Sequence, residues 1–265
     1  MTAVAPAPAE PRFPGVLRTA VRLLTFRATR EEMLAFGPRH LAFGLVATWL
    51  VGIGRYWDHP SASAFQYAGL GSLAVSAALA AVLWIIVMPM RPAGMTFLNV
   101  WTFVTLCAPL AALYAVPVER FMPLRTARDV NAWFLLTVAA WRVALLVFYL
   151  RRLCRLSWFR TAVATLLPIT GVVTALAALN LERAVFDLMS GGGEGTANDG
   201  AYFVVILLAF LSIYALPFTG LSWLVIVARE STVPSPPAPP APESAPARSK
   251  TFCEAVKNAF AVNEK

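Results

Sequence analysis

Apolar residues along this chain fall into six long blocks, at residues 41–57, 66–90, 96–117, 130–150, 161–181 and 201–228, and nearly every charge lies between them. A helix needs about 20 residues to cross a hydrocarbon core of about 30 Å at 1.5 Å per residue. Each block approaches or exceeds that length, so the pattern predicts an all-α, polytopic transmembrane bundle of about six spans. The first block is the weakest, because uninterrupted apolar residues run only from Leu41 to Gly54 before Arg55, Tyr56 and Trp57. Tyr and Trp favour the interface and Arg55 can snorkel to headgroup level, so the helix is expected to extend back through Phe36 and forward to Trp57. A re-entrant first block would instead leave five crossings and put the two termini on opposite sides.

Outside the blocks the pattern changes. Residues 1–14 are rich in Ala and Pro and carry no cleavable signal, so insertion is expected to rely on the spans. Over 15–38, Val16, Leu17, Val21, Leu24 and Ala28 alternate with Arg18, Arg22, Arg27 and Arg30 at three- and four-residue steps. This spacing predicts a basic amphipathic helix at the membrane surface, with its guanidinium groups near anionic headgroups. A topogenic segment without further role explains the same charges. The membrane domain occupies 39–229, and a Pro-rich linker, 230–248, follows. Its prolines fix φ and lack N–H donors, which predicts an extended spacer. In the last segment, 249–265, Thr251-Phe252-Cys253-Glu254 has capping-box spacing and Phe252, Val256 and Phe260 share one side of a short helix. That arrangement predicts a docking peptide on a stiff leash; an unstructured tail is the alternative, since so short a helix is marginal in water. The loop Gly191–Gly200, GGGEGTANDG, predicts a flexible connection between the fifth and sixth spans.

Charge sets the expected orientation. With six crossings, one side holds Arg12, Arg18, Arg22, Arg27, Arg30, Arg39, Arg91, Arg151, Arg152, Arg155, Arg160, Arg229, Arg248, Lys250, Lys257 and Lys265, sixteen of the 22 basic residues. The other side holds Arg55, Arg120, Arg125, Arg128 and Arg183, and Arg142 lies inside a span. The excess of positive charge places both termini in the cytoplasm. The chain is 58% hydrophobic and 14% charged, and its net charge of +8 flanks the spans without forming a stripe, which excludes nucleic acid as a partner. The Arg- and Ala-rich, Lys-poor membrane domain suggests a bacterial inner membrane, with membrane lipids as the surrounding partners.

Candidate chemistry is sparse. Arg55 with Asp58, Glu119 with Arg120, and Glu182 with Arg183 and Asp187 put mixed charges at the outward ends of the three odd-numbered spans. They suit a polar vestibule for an anionic or zwitterionic ligand, or ordinary snorkelling ends with inter-helix ion pairs. Arg142 is nine residues from Arg151, and a guanidinium in lipid costs at least about 2.5 kcal/mol on insertion scales. It is expected to face a neighbouring helix, a neutral group such as Asn99, Thr102 or Thr105, carbonyls freed near Pro109 or Pro168, or to snorkel. Pro109, Pro168 and Pro217 are expected to kink spans three, five and six, and Gly69, Gly71, Ser72, Ser76 and Ala80 to allow close packing of span two. Cys107, Cys154 and Cys253 lack paired spacing, and His40 and His59 are expected at opposite faces, so neither a disulfide framework nor a metal site is expected. No phosphate loop, paired-histidine helix motif or nucleophile elbow is present. The expected function is therefore a non-enzymatic, cofactor-free membrane protein that docks or organises a protein partner through its tail, compatible with a homo-oligomer. The alternative is a small transporter or channel for an anionic or zwitterionic solute, using Arg142 and the outward charges.

Overall fold

The computed structural model describes residues 15–56, 64–179 and 199–232. The described residues are helical, with no strand among them. In chain order they form α1 (Val16–Leu24), α2 (Arg30–Leu34), α3 (Pro38–Tyr56), α4 (Ala64–Tyr67), α5 (Leu70–Val87), α6 (Phe97–Leu106), α7 (Leu124–Arg152), α8 (Trp158–Ala178) and α9 (Asp199–Thr232). Short 3₁₀ segments follow α5 (Met88–Met90) and α6 (Ala108–Ala115), and a third covers Val118–Arg120. Among the described residues, four helices are long and apolar enough to cross a membrane: Leu70–Met90, Asp129–Arg152, Trp158–Ala178 and Ile206–Thr232. Phe97–Leu113 is apolar but shorter.

Although α3 is not among those four, it packs against α5, α6 and the 3₁₀ segment after α6. Its buried stripe is Gly44, Thr48 and Gly52, one residue every four. A Cβ on Gly44 would lie 2.3 Å from Thr105 Oγ1, and one on Gly52 2.6 Å from Ser72 Oγ and 3.0 Å from the Gly69 carbonyl. Small residues at this spacing let helix backbones approach closely, the main source of helix association where neighbouring lipid is as apolar as leucine. Gly69 turns the chain into α5 at φ +67°, with the Trp49 carbonyl 2.7 Å from where a Cβ would stand, so the turn admits only glycine.

The third apolar block is broken. Its α-helix ends at Cys107, and Pro109 lies in the first turn of the 3₁₀ segment that continues it. Proline cannot donate to the preceding turn, which is the reason for the change of helix type. Pro168 and Pro217, by contrast, are carried inside α8 and α9.

Residues 15–36 differ from the single surface helix suggested by their periodicity. The chain forms α1, turns, and forms α2, because Phe26 adopts φ +59° and the Arg27 and Phe26 amides bond back to the Arg22 and Leu23 carbonyls at 2.7 and 3.0 Å. This is a Schellman C-cap with phenylalanine in the position usually held by glycine. Thr29 and Glu32 then start α2 with a capping box, and Arg22 Nε holds Glu32 at 3.0–3.1 Å across the turn. The segment is a strap inserted into the bundle. Leu23, Ala28, Met33 and Phe36 are buried in the same core as Leu106, Leu145, Tyr149 and Leu153.

Candidate functional site

Long-range contacts collect the ends of the helices into two groups. At one end, Arg30 Nε donates to the Leu153 carbonyl at 3.3 Å, Ala93 N to the Cys154 carbonyl at 3.3 Å, and Arg160 bonds Glu230. The starts of α3, α6 and α8 and the ends of α5, α7 and α9 therefore lie together, with Arg22, Arg27, Arg30, Arg39, Arg91, Arg151, Arg152, Arg155, Arg160 and Arg229. At the other end, Trp49 Nε1 donates to the Ala68 carbonyl at 2.8 Å, and a Cβ on Gly54 would stand 3.1 Å from Ala115.

Tryptophans mark the approach to the basic end. Trp141 Nε1 donates to the Leu24 carbonyl at 3.0 Å, Trp223 Nε1 to the Ile86 carbonyl at 2.8 Å, and Trp101 Nε1 to Ser76 Oγ at 3.4 Å. Two of these acceptors are carbonyls in the last turn of a helix, which lack a partner within the helix itself. Each indole lies within about three helical turns of the basic end, and tryptophan favours the boundary between hydrocarbon and headgroups.

The turn joining α7 to α8 is built by its own arginines. Arg155 takes φ +54°, Arg151 donates to the Leu156 carbonyl at 2.5 Å, and the Arg151 guanidinium lies 4.3 Å from the centre of the Trp158 ring. Cys154 is buried in this turn with its Sγ 3.7 Å from Met95 Sδ. Burial pushes its thiol up to about 12, against a smaller opposing effect of Arg30. Since the thiolate is the reactive form, a variant retaining only Cys154 is expected to react with N-ethylmaleimide at pH 8 at least about a hundredfold more slowly in mild detergent than in SDS. Comparable labelling rates in the two would show that the turn is open.

Beside this turn, the first residues of α8 and the last of α9 line a half-open cavity of about 360 Å³, formed by Ser157, Phe159, Arg160, Val225, Ile226 and Arg229. Ser157 caps α8, accepting from the Arg160 amide at 3.4 Å. The Arg160 guanidinium pairs with Glu230 while its side chain stays 37% exposed.

The residues singled out from sequence are distributed unevenly over this frame. Arg142 is exposed on α7 between exposed Trp141 and Val143, and it makes no hydrogen bond or ion pair to a described residue. Arg55 lies in the last turn of α3, and Glu119 and Arg120 in the 3₁₀ segment Val118–Arg120, with Arg120 exposed. Asp58, Glu182, Arg183, Asp187, Phe252, Val256 and Phe260 lie outside the described residues. No group of His, Cys, Asp or Glu able to hold a metal occurs among the described residues. Arg160, Glu230 and the Gly44–Thr48–Gly52 stripe were not singled out from sequence. The stripe is visible there as small residues four apart, whereas the ion pair joins positions 70 apart and leaves no local signal. The chain matches no family model, no curated protein and no solved structure.

Proposed function

We propose that this is a non-enzymatic, multi-pass protein of a bacterial inner membrane whose bundle anchors a cytoplasmic docking tail. In this reading α3 and the α6–3₁₀ unit cross beside the four long helices, giving six spans. The observation that carries it is the gathering of the start of α3 and the end of α9 at one arginine-rich end of the bundle. By the positive-inside rule that end faces the cytoplasm, so the chain beyond α9, with Phe252, Val256 and Phe260, emerges there. The bundle interior also supports an anchoring role, being filled by apolar side chains such as Leu83, Val87, Phe103, Leu106 and Leu145. Arg142, the residue most suggestive of transport, is exposed on α7.

The test compares the full chain with a version ending at Glu230, each purified in mild detergent, by mass spectrometry of what accompanies them. A protein recovered with the full chain and lost from the truncated one is expected. The same companions with both versions, or none with either, would overturn the docking role.

A further inference from the structure

The cavity between α8 and α9 combines two chemistries. Phe159, Val225 and Ile226 give it an apolar wall, and Arg160, Arg229 and the Ser157 hydroxyl give it a cationic, donor-rich one. Its volume of about 360 Å³ lies within the range of small-ligand sites. The two walls are ordered along α9: Val225 and Ile226 precede Arg229 by three and four residues, about 5 Å nearer the middle of the bundle. A ligand that satisfies both walls must carry an anionic head and an apolar body. A free anion would leave Phe159 and Val225 uncovered, at 63% and 45% exposure.

The charges are arranged to hold such a head. A guanidinium has five N–H donors in a planar fork, and the Glu230 contact, made through Nη2, leaves Arg160 with donors on its other nitrogens. Glu230 fixes the direction in which that fork points. Beneath the cavity, the first turn of α8, a helix of 21 residues, adds the positive end of its dipole. Trp158, 69% exposed and stacked against Arg151, stands at the same turn, where an interfacial tryptophan belongs.

We propose that this cavity is a binding site for the headgroup of an anionic phospholipid, with Arg160 and Arg229 on the phosphate and Phe159, Val225 and Ile226 along the first carbons of the acyl chains. The site rests on placing the basic end of the bundle at the membrane surface and is independent of what the tail binds.

The experiment titrates delipidated full-length protein in mild detergent with phosphatidylglycerol or phosphatidylcholine and counts bound lipid by native mass spectrometry. Phosphatidylglycerol is expected to bind about tenfold more tightly. Arg229→Gln should narrow that preference about fivefold, the contribution of one basic residue near an anionic surface. The double change Arg160→Gln with Glu230→Gln, which strands no charge, should narrow it as well. Arg120→Gln, at the opposite end, should leave it unchanged. Equal binding of the two lipids, or an undiminished preference in Arg229→Gln, would overturn the proposal. Displacement of phosphatidylglycerol by inorganic phosphate at matched concentration would also overturn it, in favour of a site for a free anion. Failure of phosphate to compete supports the lipid.

Discussion

Gly44→Leu is expected to prevent the bundle from assembling, seen as loss of the monodisperse peak when the protein is extracted in mild detergent. At this position even a single added carbon would stand 2.3 Å from Thr105 Oγ1, 2.8 Å from its Cβ and 3.2 Å from its backbone carbon. Thr105 cannot swing away, because it is fully buried and its hydroxyl bonds the Trp101 and Thr102 carbonyls at 2.9 and 3.0 Å. The Thr48 hydroxyl, bonded to the Gly44 carbonyl at 2.8 Å, lies one turn further along the same contact. Relief therefore requires α3 and α6 to separate along their length. Overpacking a filled core by a methylene or two costs about 1–3 kcal/mol, so Gly44→Ala should lower thermal stability by that order and leucine should exceed it. Gly171→Leu is the control: nothing lies within 4 Å of a Cβ there, and its melting temperature should stay close to that of the parent. Equal behaviour of the two leucine variants would mean that α3 does not sit against α6.

The second large effect concerns the strap. Leu23→Ala is expected to lower stability by about 2–5 kcal/mol, the range for deleting a buried leucine side chain to alanine, because Leu23 is fully buried. Leu17→Ala, on the same helix but 65% exposed, should change it by less than about 0.5 kcal/mol. Thermal unfolding followed by size-exclusion fluorescence distinguishes the two. A strap that only directs topology would make both changes neutral.

These two predictions also mark where sequence reading succeeded and where it stopped. The blocks at 66–90, 130–150, 161–181 and 201–228 are legible because long apolar runs have few alternatives to a membrane helix, and each overlaps one of the four helices long enough to cross. The role of α3 is harder to read, since the glycines and threonine that let it pack closely also dilute its apolar run. In the strap, periodicity exposed an amphipathic pattern but treated every apolar residue as belonging to one face. The helix has two: Ala20 and Leu23 turn into the protein, while Leu17 and Val21 turn outward. The break at Phe26 was not legible, because phenylalanine carries no signature for a left-handed backbone. The α8–α9 cavity was invisible for a different reason. Its arginines looked like interchangeable topogenic charges until the pairing of Arg160 with Glu230 set them apart.

The hydrogen bond from Arg30 to the Leu153 carbonyl spans 123 residues. At about 5–20 residues per second of synthesis, the strap waits roughly 6–25 s after its own emergence before the end of α7 exists to receive it. Through that interval Leu23, Met33 and Phe36 have no finished core to enter. The strap therefore completes its docking only once α7 has been made, with α8 and α9 still to follow.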